Sequence, residues 1–126
     1  MRDGLTVGLV SLALMSTAAV GAHLTLVDSR PKEGAVLSQS PKEVWLRFNQ
    51  RLDVPNSTIA VRGPAGLVAL ADVSAPDSLS LSAEFVAPLE PGEYTVSWLG
   101  TPYEDHPVRG RYKFTVEAIN DPLSMR

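Results

Sequence analysis

The chain contains no cysteine. No disulfide supports its fold, and no thiolate is available as a metal ligand or nucleophile. Histidine is almost as scarce, at two residues, His23 and His106. Basic residues do not dominate: 11 Lys and Arg stand against 14 Asp and Glu, a net charge of −3, and no Lys/Arg cluster stands out. That excludes the electrostatic footprint of a nucleic-acid binder. Beyond residue 22 no apolar run reaches the ~20 residues that span a bilayer. No stretch there carries a convincing helical period of 3.6. The three methionines are Met1, Met15 and Met125, so a soft-sulfur site for Cu(I) is not expected.

What the chain does have is punctuation, with 10 Pro and 9 Gly. Between them lie short apolar alternations, the pattern of an all-β sandwich of about seven strands. Leu24–Val27 reads as a first strand and Ser29–Gly34 as a turn. Val44, Leu46 and Phe48 alternate with Trp45 and Arg47, so one strand face points inward. Ile59 and Val61 begin a strand that Gly63-Pro64-Ala65-Gly66 ends, and Leu67–Ala71 is expected to pair back as a hairpin. Leu79 and Leu81 alternate with serines. Pro91-Gly92 launches Tyr94, Val96 and Trp98, and Gly110 opens Tyr112, Phe114 and Val116.

The first 22 residues read differently. Arg2 is followed by an apolar, small-residue stretch from Leu5 to Val20, and Val20-Gly21-Ala22 supplies the small residues a signal peptidase reads. The expected organisation is a signal peptide over 1–22, a domain over 23–118 and a polar tail over 119–126. An uncleaved anchor is the competing reading of the first segment. Cleavage after Ala22 frees the amine of His23. A terminal His offers that amine and its imidazole Nδ1 to a single metal ion. The reference amine pKa of about 7.7–8.0 lets a metal displace the proton near neutral pH.

His106 lies in the loop between the last two strands, within Tyr103-Glu104-Asp105-His106-Pro107. Pro107 biases His106 toward extended geometry, in which residues i and i+2 share a face. That favours Glu104 over Asp105 as an oxygen donor beside His106. Three nitrogens and one oxygen suit tetragonal Cu(II), with Zn(II) the competitor. The expected metal ligands are His23, Glu104 and His106. The plain alternative is that both histidines and the acidic pair are solvated surface groups. Ser97, Asp105 and His106 form no credible nucleophilic triad, because no nucleophile-elbow pattern such as G-x-S-x-G is present. Asn56-Ser57-Thr58 fits a glycosylation pattern that is common by chance. Trp45 and Trp98 read as core or flanking aromatics, and Tyr103 as either a shield for the site or a loop aromatic.

These residues resemble a known family. His23-Leu24-Thr25-Leu26-Val27-Asp28-Ser29-Arg30-Pro31-Lys32-Glu33-Gly34 looks like the opening of the CopC/PcoC periplasmic copper-resistance proteins. Ser40–Phe48 and Leu89–Trp98, the latter followed by His106-Pro107-Val108-Arg109-Gly110, are similar to further stretches of that family. The resemblance implies a seven-stranded, Greek-key, immunoglobulin-like (cupredoxin-like) sandwich or barrel that binds Cu(II). It implies ligands at the N-terminal His and at an Asp-x-His motif, which falls on Glu104 and His106, with Glu in place of the usual Asp. Asp105 is therefore the other candidate for the oxygen. The methionine-rich loop of some members has no counterpart in Arg62–Val73, which holds no Met. The implied role is a periplasmic, monomeric, non-enzymatic copper carrier for buffering or for delivery to an inner-membrane copper transporter. An immunoglobulin-like interaction module without metal and a histidine-brace oxidase are the alternatives.

Overall fold

A computed structural model describes residues 23–118 of the chain. The expected signal peptide and polar tail lie outside the described residues. Eight strands form in the order β1 (Leu26–Arg30), β2 (Val36–Leu37), β3 (Glu43–Phe48), β4 (Thr58–Gly63), β5 (Gly66–Leu67), β6 (Ser80–Glu84), β7 (Gly92–Gly100) and β8 (Val108–Val116), with one short 3-10 turn at Val54–Asn56. They make a three-stranded sheet, β1-β3-β6, and a five-stranded sheet, β2-β8-β7-β4-β5. Among the described residues no helix is long and apolar enough to cross a membrane.

The alternations read from sequence become the inner faces of these sheets. Val44, Leu46 and Phe48 of β3 and Leu81 and Ala83 of β6 are buried against Ile59 and Val61 of β4, Tyr94, Val96 and Trp98 of β7, and Tyr112, Phe114 and Val116 of β8. Tyr94 lies opposite Phe114 in the β7–β8 register and stacks on it, ring centroids 5.4 Å apart. The Tyr94 hydroxyl donates to the Glu90 carbonyl at 2.5 Å, tying the turn before β7 to the strand's first core ring. This is the tyrosine corner of immunoglobulin-like sandwiches. At the other end of β7, Trp98 meets Phe48 of the opposite sheet edge-on at 5.0 Å and 71°.

Three details differ from the sequence reading. The first strand runs on to Arg30, because Ser29 is buried opposite Leu46 and the Arg30 guanidinium lies 4.3 Å from the Trp45 ring centroid. The Arg30–Pro31 peptide, where the turn now begins, is cis. The β4–β5 hairpin is short. After Val68 donates its amide to Val61, the chain turns to the other sheet, where Leu70 bridges Phe85. The eighth strand, β2, is two residues pairing parallel to the end of β8, too short to show any period.

Candidate metal centre

The start of β1, the end of β3 and the tip of the β7–β8 hairpin converge at one end of the sandwich. The antiparallel register Leu26↔Phe48 brings residues 23–25 beside Asn49. Leu24, next to His23, is buried. It rests where Gly100 has no side chain: a Cβ on Gly100 would lie 2.6 Å from Leu24 Cδ2. Asn49 then holds the segment from the side. Its backbone amide donates to the Thr25 carbonyl at 3.1 Å, and its Oδ1 accepts the Thr25 amide at 2.8 Å. Its Nδ2 donates to the His23 carbonyl at 3.1 Å.

The loop after β7 is anchored at its root. Thr101 donates its amide to Ser57 Oγ at 3.1 Å and its hydroxyl to the Asn56 carbonyl at 2.6 Å. The Thr101 carbonyl accepts the Asp53 amide at 2.8 Å, and buried Pro102 bridges Leu52. Past that root the chain turns at Tyr103 and Glu104 and bends at Asp105. The extended run that favoured Glu104 by alternation is therefore absent there. The His106 amide donates to Asp105 Oδ1 at 2.7 Å and orients the carboxylate. Its other oxygen, Oδ2, lies 3.9 Å from His23 Nδ1.

The loop thus brings together His23 and Asp105. His106 follows at once and is exposed. Glu104 instead lines a shallow cleft of about 580 Å³ with Gln50, Arg51 and Tyr103, where the Arg51 guanidinium sits 5.7 Å from the Tyr103 ring centroid. Among the described residues no three His, Cys, Asp or Glu side chains gather closely enough to hold a metal. The closest approach to a site is the His23–Asp105 pair. Two donors each about 2 Å from one ion sit roughly 2.8 Å (cis) to 4 Å (trans) apart, and 3.9 Å falls inside that range. The His23 side chain is 90% exposed and that of Asp105 30%, so an ion would reach them from solvent.

A sequence profile of the CopC domain matches residues 26–117. The chain belongs to the CopC family. Solved relatives agree with the fold of this CopC chain. The methionine-rich copper resistance protein PcoC from Escherichia coli superposes with a TM-score of 0.69 at 29% identity, over 76% of this chain and 100% of PcoC. CopC from Methylosinus trichosporium OB3b gives 0.69 at 29% identity, over 79% of this chain and 98% of that one. No curated protein matches the sequence. Unlike a relative described as methionine-rich, this CopC chain has no methionine between Met15 and Met125. Asn49 carries no motif that singles it out in the sequence. Its partners lie 24 and 26 residues away, so only the fold assembles them.

Proposed function

We propose that the chain is exported to the periplasm, processed before His23, and holds one Cu(II) ion between the new N-terminus and the loop after β7. The His23 amine and Nδ1 supply two nitrogens, His106 a third and a loop carboxylate the oxygen. Such a tetragonal N,O set suits Cu(II) over Zn(II) and leaves Cu(I) without its preferred sulfur. The observation that carries the reading is His23 Nδ1 facing Asp105 Oδ2 at 3.9 Å, with His106 the next residue along the same loop. It supports Asp105 as the oxygen donor in place of Glu104. Glu104 lines the neighbouring cleft. Copper is cargo in this reading: the protein buffers it or passes it to a membrane transporter, as a monomer and without catalysing a reaction. A bound carboxylate in the fourth position would block oxygen activation. The copper-resistance relatives support the same assignment.

The test is to express the full chain with export, sequence the N-terminus of the product and titrate it with Cu(II) under electron paramagnetic resonance. A terminus at His23 and a one-to-one tetragonal signal with nitrogen hyperfine structure are expected. A terminus elsewhere, or a signal unchanged by His106→Ala, would overturn the reading.

A further inference from the structure

We infer that Asn49 is a positioning residue that holds the N-terminal arm over the copper loop, and so sets how tightly and how long copper is retained. This inference rests on the function proposed above. The β1–β3 ladder ends at Leu26↔Phe48, and the first residues of a chain fray unless something ties them down. Here Asn49, one residue past the end of β3, continues the pairing with its side chain as well as its backbone. Its amide and Oδ1 close on the carbonyl and amide of Thr25, and Nδ2 reaches one residue further to the His23 carbonyl. The Thr25 hydroxyl donates to that same carbonyl at 3.3 Å.

The side chain must accept from one residue and donate to another, and asparagine offers both. Aspartate would place an acceptor against the His23 carbonyl, and alanine reaches neither group. All of these bonds stop at the His23 backbone and leave its Nδ1 facing Asp105. Asn49 therefore acts on the backbone that carries the terminal nitrogens, without contact to a coordinating atom. Fixing the arm beforehand lowers the ordering cost of closing a chelate. It also resists loss of the arm as the first step of copper release.

A strand-end clamp with a purely structural role would change stability and leave the metal indifferent. The experiment compares Asn49→Ala with the wild type, both as the exported and processed chain. Cu(II) affinity is measured by competition with a chelator and the release rate by stopped flow, with the resonance spectrum and the metal-free melting temperature recorded alongside. Loss of a group that orients a ligand lowers metal affinity by about 10–100-fold. We expect a drop in that range, faster release and altered nitrogen hyperfine structure, with the metal-free melting temperature lowered by only a few degrees. Affinity within twofold of wild type and an unchanged spectrum would overturn the role of Asn49. Failure of the wild type itself to bind Cu(II) through His23 would instead overturn the proposed function. If the variant does not fold, amide exchange in the metal-free wild type decides. The Thr25 amide should be protected, and exchange at the random-coil rate would sink the clamp.

Discussion

Two adjacent acids in the loop after β7, Glu104 and Asp105, face different surroundings. One Asp105 oxygen is engaged by the next residue's amide, and this leaves the other directed at His23. Glu104 opens onto the cleft it shares with Arg51 and Tyr103. Asp105→Ala is therefore expected to weaken Cu(II) binding at least about tenfold, since it removes the anionic donor of the proposed site. Glu104→Gln should leave affinity within about threefold, a loss of under ~1 kcal/mol. Chelator competition on the two variants measures the difference, and the reverse ranking would return the oxygen to Glu104.

At the scale of elements, the arm and the hairpin tip meet through Leu24 and Gly100. A Cβ at Gly100 would stand 2.6 Å from Leu24 Cδ2 and 3.6 Å from Phe48 Cε2, so Gly100→Ala must push Leu24 from its seat. Overpacking costs about 1–3 kcal/mol, and the low end is expected here because the clashing methyl is the free end of a flexible side chain. Adding Leu24→Ala removes the clashing group, so the double variant should be less destabilised than the two single changes summed. Urea unfolding of the four proteins gives the coupling. Strict additivity would show that the two residues do not compete for one space.

The elements that build this meeting were partly legible beforehand. Alternation in β3, β7 and β8 survives intact, because each of these strands buries one face along most of its length. The histidines and the loop between the last strands were equally visible. The different placement of the two neighbouring carboxylates was not. It depends on a turn at Tyr103 and Glu104 that Pro107 does not control. The contacts of Asn49 and Gly100 were illegible for another reason: they exist only once distant segments are packed, and no local pattern encodes them.

For the whole molecule, stability without disulfides rests on one apolar core, and one buried tyrosine makes that core sensitive to alkali. Tyr112 lies at the inner face of β8, its hydroxyl buried near Ser29. Burial pushes its phenol up to about 12, with nearby Ser29 pulling slightly the other way. The folded state therefore holds this proton more tightly than the unfolded chain, whose tyrosines titrate near 10. Stability is fully present below pH 10 and declines as pH rises toward 12, by up to ~3 kcal/mol. Tyr112→Phe should reduce that decline, leaving the part that the buried Tyr94 phenol, also raised by burial, contributes, and near neutral pH it should change stability by no more than about 1 kcal/mol. Denaturant midpoints from pH 8 to 12 measure both effects, and parallel curves for the two proteins would exclude Tyr112 as the cause.

Copper should act on the same global equilibrium from the opposite direction. The proposed donors come from the arm and from the loop after β7, which unfolding separates, so the ion binds the native state preferentially. At one hundred times the dissociation constant such a ligand adds about 2.7 kcal/mol. For a domain of this size that corresponds to a melting shift of roughly 10–20 °C. The shift should shrink as pH falls below the reference amine pKa of about 7.7–8.0, because protons then compete for the terminal nitrogen. Acetylation of the His23 amine converts it to an amide and should remove most of the shift at every pH. Scanning calorimetry with and without Cu(II), on the processed chain and on the same chain acetylated at its terminus, separates chelation at the terminus from copper adsorbed elsewhere. Equal shifts in the two proteins would leave the terminal amine with no part in binding.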